Sequence, residues 1–104
     1  MIGAALMIDH ATGVVIGSTA RIGSGCTFLH NVTLGSTGKT DGDRHPKLGN
    51  NVLVGCNATI LGNITIGNDA KIGANSIVLK PVPDGTTAVG NPARIVGLKT
   101  DNKF

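Results

Sequence analysis

Aliphatic residues, and one Phe, recur every six positions along most of this chain. Ile2 and Ile8 open the series, and two extra residues are inserted between Ile8 and Ile16. About eight extra residues separate Leu34 from Leu48. A sustained period of six is typical of a repeat architecture, here interrupted by two loops. The repeated positions after the first interruption are Ile16, Ile22, Phe28, Leu34, Leu48, Val54, Ile60, Ile66, Ile72 and Val78.

Each six-residue unit predicts a short strand followed by a tight turn. A Gly usually follows the aliphatic residue, and a second small or aliphatic residue comes four positions on, as in Ile16, Gly17 and Ala20. Three units close a triangular coil, and coils stack at the strand spacing of ~4.8 Å. The repeats therefore predict an all-β fold, a parallel β-helix of about four coils. Only a few residues after Pro92 fit a helical pattern.

The length and composition agree with one small repeat domain. The 104 residues include sixteen Gly, two Phe and no Trp or Tyr, so Ile, Val, Leu and Ala must build the core. We predict a β-helical domain over residues 1–98, with a protruding loop over 35–47 and a C-terminal tail over 99–104. Because so short a chain buries little surface alone, we expect a homo-oligomer.

The charge pattern narrows the range of partners. The net charge is +3, but the nine Lys and Arg are scattered and no aromatic platform exists for stacking bases. This argues against nucleic acid and favours a phosphate-bearing small molecule. No 18-residue apolar run indicates a membrane partner. Two cysteines, Cys26 and Cys56, cannot form a disulfide framework, and no secretory leader is evident, so we expect a cytoplasmic protein.

His10 is the first candidate for chemistry. It lies on the insertion between Ile8 and Ile16, where a side chain can leave the regular wall, and insertions in repeats often carry function. A neutral imidazole there can take a proton from a hydroxyl that attacks a thioester carbonyl, and this needs no metal. The alternative for an isolated His in a turn is a solvated polar side chain.

Four stretches resemble serine O-acetyltransferases of the hexapeptide-repeat acyltransferase superfamily. They are Ile8–Gly13 (IDHATG), Val32–Lys39 (VTLGSTGK), Gly42–Lys47 (GDRHPK) and Ala88–Gly97 (AVGNPARIVG). The first three are specific to that enzyme, whereas the repeat and the ending are shared by many acyltransferases. The resemblance covers residues 2–98. It implies a left-handed helix that transfers acetyl from acetyl-CoA to the L-serine hydroxyl, giving O-acetyl-L-serine for cysteine biosynthesis.

The resemblance also implies roles for individual residues. His10 matches the general base, and Asp9 matches a residue that holds the substrate amino group. Arg44 and His45 match residues that bind the substrate carboxylate, for which a planar guanidinium is well suited. No metal is implied, and acetyl-CoA is the acyl donor. The residues that the resemblance places along the cofactor are Ser36, Thr37, Gly38, Cys56, Lys71 and Ala74.

The sequence also departs from the family pattern. Ser36 and Cys56 stand where the family usually has Gly and Ala, beside the cofactor. Family members carry an N-terminal helical domain and an Asp that orients the catalytic His, and neither precedes His10 here, so we expect reduced activity and a trimer rather than a hexamer. Phe104 ends the tail where family members that dock into cysteine synthase end in Ile, which weakens the case for that partner.

Three other functions stay open. The first is a truncated β-helix that binds CoA with weak or no turnover. The second is an acetyltransferase for another hydroxyl acceptor. The third is a zinc hydratase of the γ-carbonic-anhydrase type, in which His10, His30 and His45 supply the metal ligands across subunits.

Overall fold

The computed structural model describes residues 7–8, 13–37 and 43–96, and every regular element in those ranges is a short strand. The strands are β1 Met7–Ile8, β2 Val15–Ile16, β3 Arg21–Ile22, β4 Thr27–Phe28, β5 Thr33–Gly35, β6 Lys47–Leu48, β7 Leu53–Val54, β8 Thr59–Leu61, β9 Thr65–Ile66, β10 Lys71–Ile72, β11 Ile77–Val78, β12 Thr87–Gly90 and β13 Ala93–Val96.

Three parallel sheets form the walls of a triangular coil. The first sheet has the order β1-β4-β7-β10-β12, the second β2-β5-β8-β11 and the third β3-β6-β9. From β1 to β11 each strand pairs with the third strand along the chain, so one coil takes one strand from each sheet. The fourth coil is completed by a bridge between Ile66 and Val82. The predicted parallel β-helix of about four coils is confirmed.

The core consists of the residues that the six-residue period marks. All the repeated positions from Ile22 to Val78 are buried, and Ile16, in the first coil, is half-buried. The second inward position is also buried in most units, where Ala, Cys, Ser or Val occupies it. Because these side chains are no larger than valine, the described interior packs without aromatic bulk beyond Phe28. The buried second positions are Ala20, Cys26, Val32, Val52, Ala58, Ala70, Ser76 and Val82.

Asn and Asp residues make many of the turns between sheets. Five of them have φ between 60° and 63°, in the left-handed region that Asn and Asp tolerate better than other residues with a side chain. Each lies three residues after a buried aliphatic or Phe side chain of the repeat. The repeat therefore encodes the bend as well as the core. These residues are Asn31, Asn51, Asn57, Asp69 and Asn75.

A second set of polar side chains links the coils at the turns that follow the third sheet. The side-chain oxygen of Asn50 accepts the Ser24 N–H at 2.8 Å, and that of Asn68 accepts the Asn50 N–H at 2.7 Å. Asp84 continues this ladder by accepting the Asn68 N–H at 2.7 Å. Backbone donors that the turns leave unpaired are thus satisfied from the next coil.

The fold ends differently from the sequence prediction. After β12 extends the first sheet, the chain turns back and β13 pairs antiparallel with it, with Val89 opposite Arg94. The residues after Pro92 therefore form a strand rather than a helical turn. A closing strand pairs the edge that β12 would otherwise leave open, which accounts for the preference. The predicted boundary at residue 98 and the tail over 99–104 lie outside the described residues.

Candidate functional site

The sequence-predicted residues fall at two of the three corners of the coil. We call the turns after the first sheet the first corner, those after the second sheet the second corner, and those after the third sheet the third corner. Cys56 and Ala74 lie at the first corner, and Lys71 lies on the outer face of the first sheet. Asp9, His10 and Gly38 lie outside the described residues. The second corner holds Ser36, Thr37, Arg44 and His45.

At the second corner, Thr19 holds the end of the long loop. His45 is 6% exposed, and its Nδ1 accepts the Thr19 backbone N–H at 3.2 Å and lies 2.6 Å from Thr19 Oγ1. The same hydroxyl oxygen accepts the backbone N–H of Arg44 at 3.1 Å. Thr19 lies in the turn between β2 and β3, one coil before the loop returns to the sheet. A single side chain thus fixes two neighbouring candidate residues.

Thr19 was not predicted as a site residue, although the repeat contained part of the signal. Arg21 pairs with Lys47 in the third sheet, so two residues earlier Thr19 is aligned with His45. The six-residue period predicts that alignment, because Ile22 and Leu48 are successive members of one stack. What it does not predict is that the loop closes onto the hydroxyl.

Gly17 provides the surface on which the His45 ring rests. A Cβ atom at Gly17 would overlap the ring at Cδ2 and Nε2. The ring cannot easily retreat, because it is buried and Thr19 holds its other edge. Glycine at this position is therefore a requirement of packing rather than of backbone conformation.

Replacing Gly17 with alanine is expected to destabilise the protein by about 1–3 kcal/mol, the range for forcing extra atoms into a packed site. Urea denaturation of the wild type, Gly17→Ala and the exposed neighbour Ser18→Ala measures this, and Ser18→Ala should change stability by less than about 0.5 kcal/mol. In a His45→Ala background the Gly17→Ala penalty should largely disappear. A penalty that stays the same there would show that the ring is not the cause.

Lys47 closes the loop from its other side. Its Nζ donates to the carboxylate of Asp43 and to the backbone carbonyl of His45. The hydrogen bond from Lys47 is the main reason that the pKa of Asp43 is held below its usual value. Since a lowered pKa favours the charged form, this contact is present above the ordinary Asp pKa and is lost as acid protonates the carboxylate. Asp43 is exposed, so the contact is weakly stabilising and orients the loop more than it stabilises the fold.

The first corner offers a surface of small residues. Cys56 and Ala74 occupy equivalent places in successive coils, and the Asn75 N–H donates to the Cys56 carbonyl at 2.9 Å. A Cβ atom at Gly55 would lie 2.6 Å from the backbone N of Ala74, so the coils meet there at backbone distance. Ala74 is exposed and Cys56 half-buried. A slender ligand could therefore approach the backbone closely along this corner.

Of the remaining predicted residues, Lys71 lies on the sheet that leads into that surface, whereas those of the second corner lie apart from it. Ser36 and Thr37 follow β5 at the second corner, where the Gly62 N–H of the next coil donates to the carbonyl of Gly35 at 3.0 Å. Lys71 is exposed on β10, between Leu53 and Thr87 on the neighbouring strands. One side of the triangle separates the two corners, roughly 20 Å for six residues at ~3.3 Å each. Within one chain, the predicted residues of the first corner and those of the second corner are therefore not brought together.

Other features of the described ranges lie away from these residues. A cavity of about 390 Å³ opens between the end of β11 and the closing hairpin, and no sequence-predicted site residue lines it. In the part of the chain that the structure describes, no three His, Cys, Asp or Glu side chains gather in a way that could hold a metal. Nor does that part contain a helix long and apolar enough to cross a membrane. The lining residues of the cavity are Leu79, Lys80, Pro92, Ala93 and Arg94.

Comparisons with known proteins agree with this architecture. The family described as bacterial transferase hexapeptide (six repeats) matches residues 45–80. Serine acetyltransferase 3, mitochondrial, of Arabidopsis thaliana is 62% identical over 98% of this chain and 26% of its own length. Soybean serine acetyltransferase complexed with serine superposes with a TM-score of 0.89 at 64% identity, over 91% of this chain and 39% of that one. Serine acetyltransferase of Brucella abortus in complex with coenzyme A gives 0.91 at 54%, over 92% and 38%.

The fold and these matches define the class as a left-handed parallel β-helix of hexapeptide-repeat transferases. Within that class the chain belongs to the serine acetyltransferase family. It spans about a quarter to two fifths of the length of the relatives described above.

Proposed function

We propose that this domain carries the acetyl-transfer site of a serine acetyltransferase, which acetylates the hydroxyl of L-serine with acetyl-CoA. The observation that carries the proposal is the Arg44–His45 pair, fixed by Thr19 at the second corner. It occurs in a chain 62% identical to a named serine acetyltransferase. Structures of relatives with serine and with coenzyme A support the same two substrates.

The acceptor is bound through its two charged groups. Arg44 offers two parallel N–H donors to the serine carboxylate, and His45 adds a third donor beside it. Asp9 holds the amino group, and His10 takes the hydroxyl proton as the oxygen attacks the thioester carbonyl. These two roles rest on the resemblance of the Ile8–Gly13 stretch to the family. The released thiolate of CoA then needs a proton, which the imidazolium of His10 can return.

The donor lies along the small residues of the coil. The exposed Ala74 and half-buried Cys56 leave room for the pantetheine arm at the first corner. Lys71 is exposed on the adjoining face and can meet the phosphates at the nucleotide end. The family resemblance implies that Ser36, Thr37 and Gly38 lie near the thioester, where a backbone N–H can stabilise the developing oxyanion. No step in this scheme requires a metal.

The site is completed between chains. β1, which directly precedes Asp9 and His10 in the sequence, belongs to the first sheet, whose strands lead into the first corner. Arg44 and His45 lie at the second corner, one side of the triangle away. We infer that the base of one chain meets the loop of its neighbour in a homotrimer, the state that the family resemblance also implies. A cytoplasmic location is consistent with two unpaired thiols, Cys26 and Cys56.

The test is thiol release from acetyl-CoA in the presence of L-serine, with O-acetyl-L-serine identified by mass spectrometry. Arg44→Lys is expected to raise the KM for L-serine about 10- to 100-fold, because lysine cannot form the paired hydrogen bonds. Arg21→Lys, an exposed arginine on β3, is the matched control and should leave the KM unchanged. Arg44→Lys with wild-type kinetics would rule out the carboxylate role.

The same assay separates the open alternatives. Faster release with homoserine than with serine would identify another acceptor. Binding of CoA by calorimetry without thiol release would identify a binding domain. Absence of thiol release, together with CO₂ hydration that follows bound zinc and is removed by a chelator, would identify a hydratase and would contradict acetyl transfer by His10.

A further inference from the structure

The hydroxyl of Thr19 makes hydrogen bonds with both the His45 ring and the Arg44 backbone. We propose that Thr19 is a positioning residue, whose hydroxyl fixes the His45 ring with its hydrogen on Nε2 and joins that ring to the Arg44 backbone. The effect on catalysis rests on the proposed function, whereas the ring geometry stands independently. Three observations carry the proposal: the chain of donors through the hydroxyl, the rigid mounting of Thr19 and the burial of His45.

The donor chain determines which nitrogen carries the hydrogen. Thr19 Oγ1 accepts the backbone N–H of Arg44, so its own hydrogen is free to point at His45 Nδ1, 2.6 Å away. The Thr19 backbone N–H also points at Nδ1, at 3.2 Å. The backbone N–H can only donate, so Nδ1 must present a lone pair to it. A neutral His45 therefore has its hydrogen on Nε2, where it can donate to a carboxylate.

Thr19 can perform this role because its own position is rigid. It lies in a tight turn in which the Ala20 N–H donates to the carbonyl of Gly17 at 3.1 Å. Ala20 and Ile22, which flank Arg21 of β3, are buried in the core. The loop residues Arg44 and His45 are thereby attached to the coil itself. Gly17 in the same turn supports the face of the ring, so one four-residue turn sets both its position and its hydrogen.

The opposite tautomer would harm acceptor binding in a specific way. With the hydrogen on Nδ1, the Nε2 lone pair would face a carboxylate oxygen, and two acceptors repel. The loss falls on binding of the acceptor and leaves the donor thioester untouched. It should therefore appear in the KM for L-serine and not in the KM for acetyl-CoA.

Two substitutions test this in the intact chain. Thr19→Val keeps the shape of the side chain and removes the hydroxyl, and is expected to raise the KM for L-serine by about tenfold. The KM for acetyl-CoA should change by less than about twofold. Thr19→Ser restores the hydroxyl and should return the KM for L-serine to within about threefold of the wild type. Equal loss in both variants, spread over both substrates, would show a structural role only and overturn the proposal.

A readout without activity keeps the two proposals distinct. Imidazole ¹⁵N spectra at pH about 8, above the ordinary pKa of His, report which ring nitrogen of His45 carries the hydrogen. His45→Gln identifies the signal. The wild type should show Nε2 protonated, and Thr19→Val should shift the population toward Nδ1. Nδ1 protonated in the wild type would overturn the proposal even if the enzyme is active, and failure to acetylate serine would leave this ring measurement valid.

Discussion

Replacing His10 with alanine is expected to lower serine-dependent thiol release by a factor of about 10²–10⁴, the usual contribution of a general base. The serine hydroxyl is a poor nucleophile unless its proton is removed as the carbon–oxygen bond forms. The loss should fall on kcat, because the proposed binding of the carboxylate by Arg44 and His45 does not need His10. Initial rates at saturating L-serine measure it.

His30→Ala is the matched control for that measurement. His30 lies in the described first corner and is half-buried, yet acetyl transfer gives it no chemical role. The rate should therefore stay within about threefold of the wild type. Under the zinc-hydratase alternative both histidines are metal ligands, so both variants lose bound zinc, and the wild type itself shows no serine-dependent thiol release. Equal loss of thiol release in the two variants would argue against a specific role of His10 as general base.

Replacing Phe28 with alanine is expected to cost about 3–5 kcal/mol of folding free energy. Its side chain is fully buried in β4, and that strand lies between β1 and β7 within the first sheet. The described core contains no other aromatic side chain that could move into the cavity left by the ring. Because small domains have only about 5–15 kcal/mol of stability, the variant should unfold at a clearly lower urea concentration.

Thr65→Ala provides the comparison on the outer surface. Thr65 is exposed on β9 next to the buried Ile66, and its loss should cost less than about 1 kcal/mol. Both variants are measured at one protein concentration, because association of chains would make stability depend on concentration. A Phe28→Ala penalty no larger than that of Thr65→Ala would mean that the coil interior collapses around the missing ring.

Repetition made the fold predictable from this sequence. The spacing of residues such as Ile60 and Ile66 determines both which side chains face inward and which strands become neighbours, because a coil of fixed length aligns every third unit. The closing strand Ala93–Val96 was not predictable in the same way. It lies beyond the last repeat, and its pairing depends on an open sheet edge rather than on a local pattern.

The sequence motifs name the residues of the candidate site but not the residues that hold them in place. The loop motif marked Arg44 and His45, and the structure places both at the second corner. Thr19 and Gly17 carry no chemical signal of their own, since threonine and glycine are common in turns. Their importance arises only when the loop folds back onto the preceding coil, a path that the spacing of aliphatic residues does not encode.

The ladder of Asn50, Asn68 and Asp84 also determines where this architecture can be extended. Each member accepts a hydrogen bond from a backbone N–H of the coil below. One inserted residue at the third corner would therefore misalign the ladder and leave several backbone N–H groups without a partner. The described residues of the second corner form no such ladder, and this corner already accepts about eight extra residues. Residues that confer a new binding specificity can therefore be inserted at the second corner, by evolution or by design. The third corner has to keep its length.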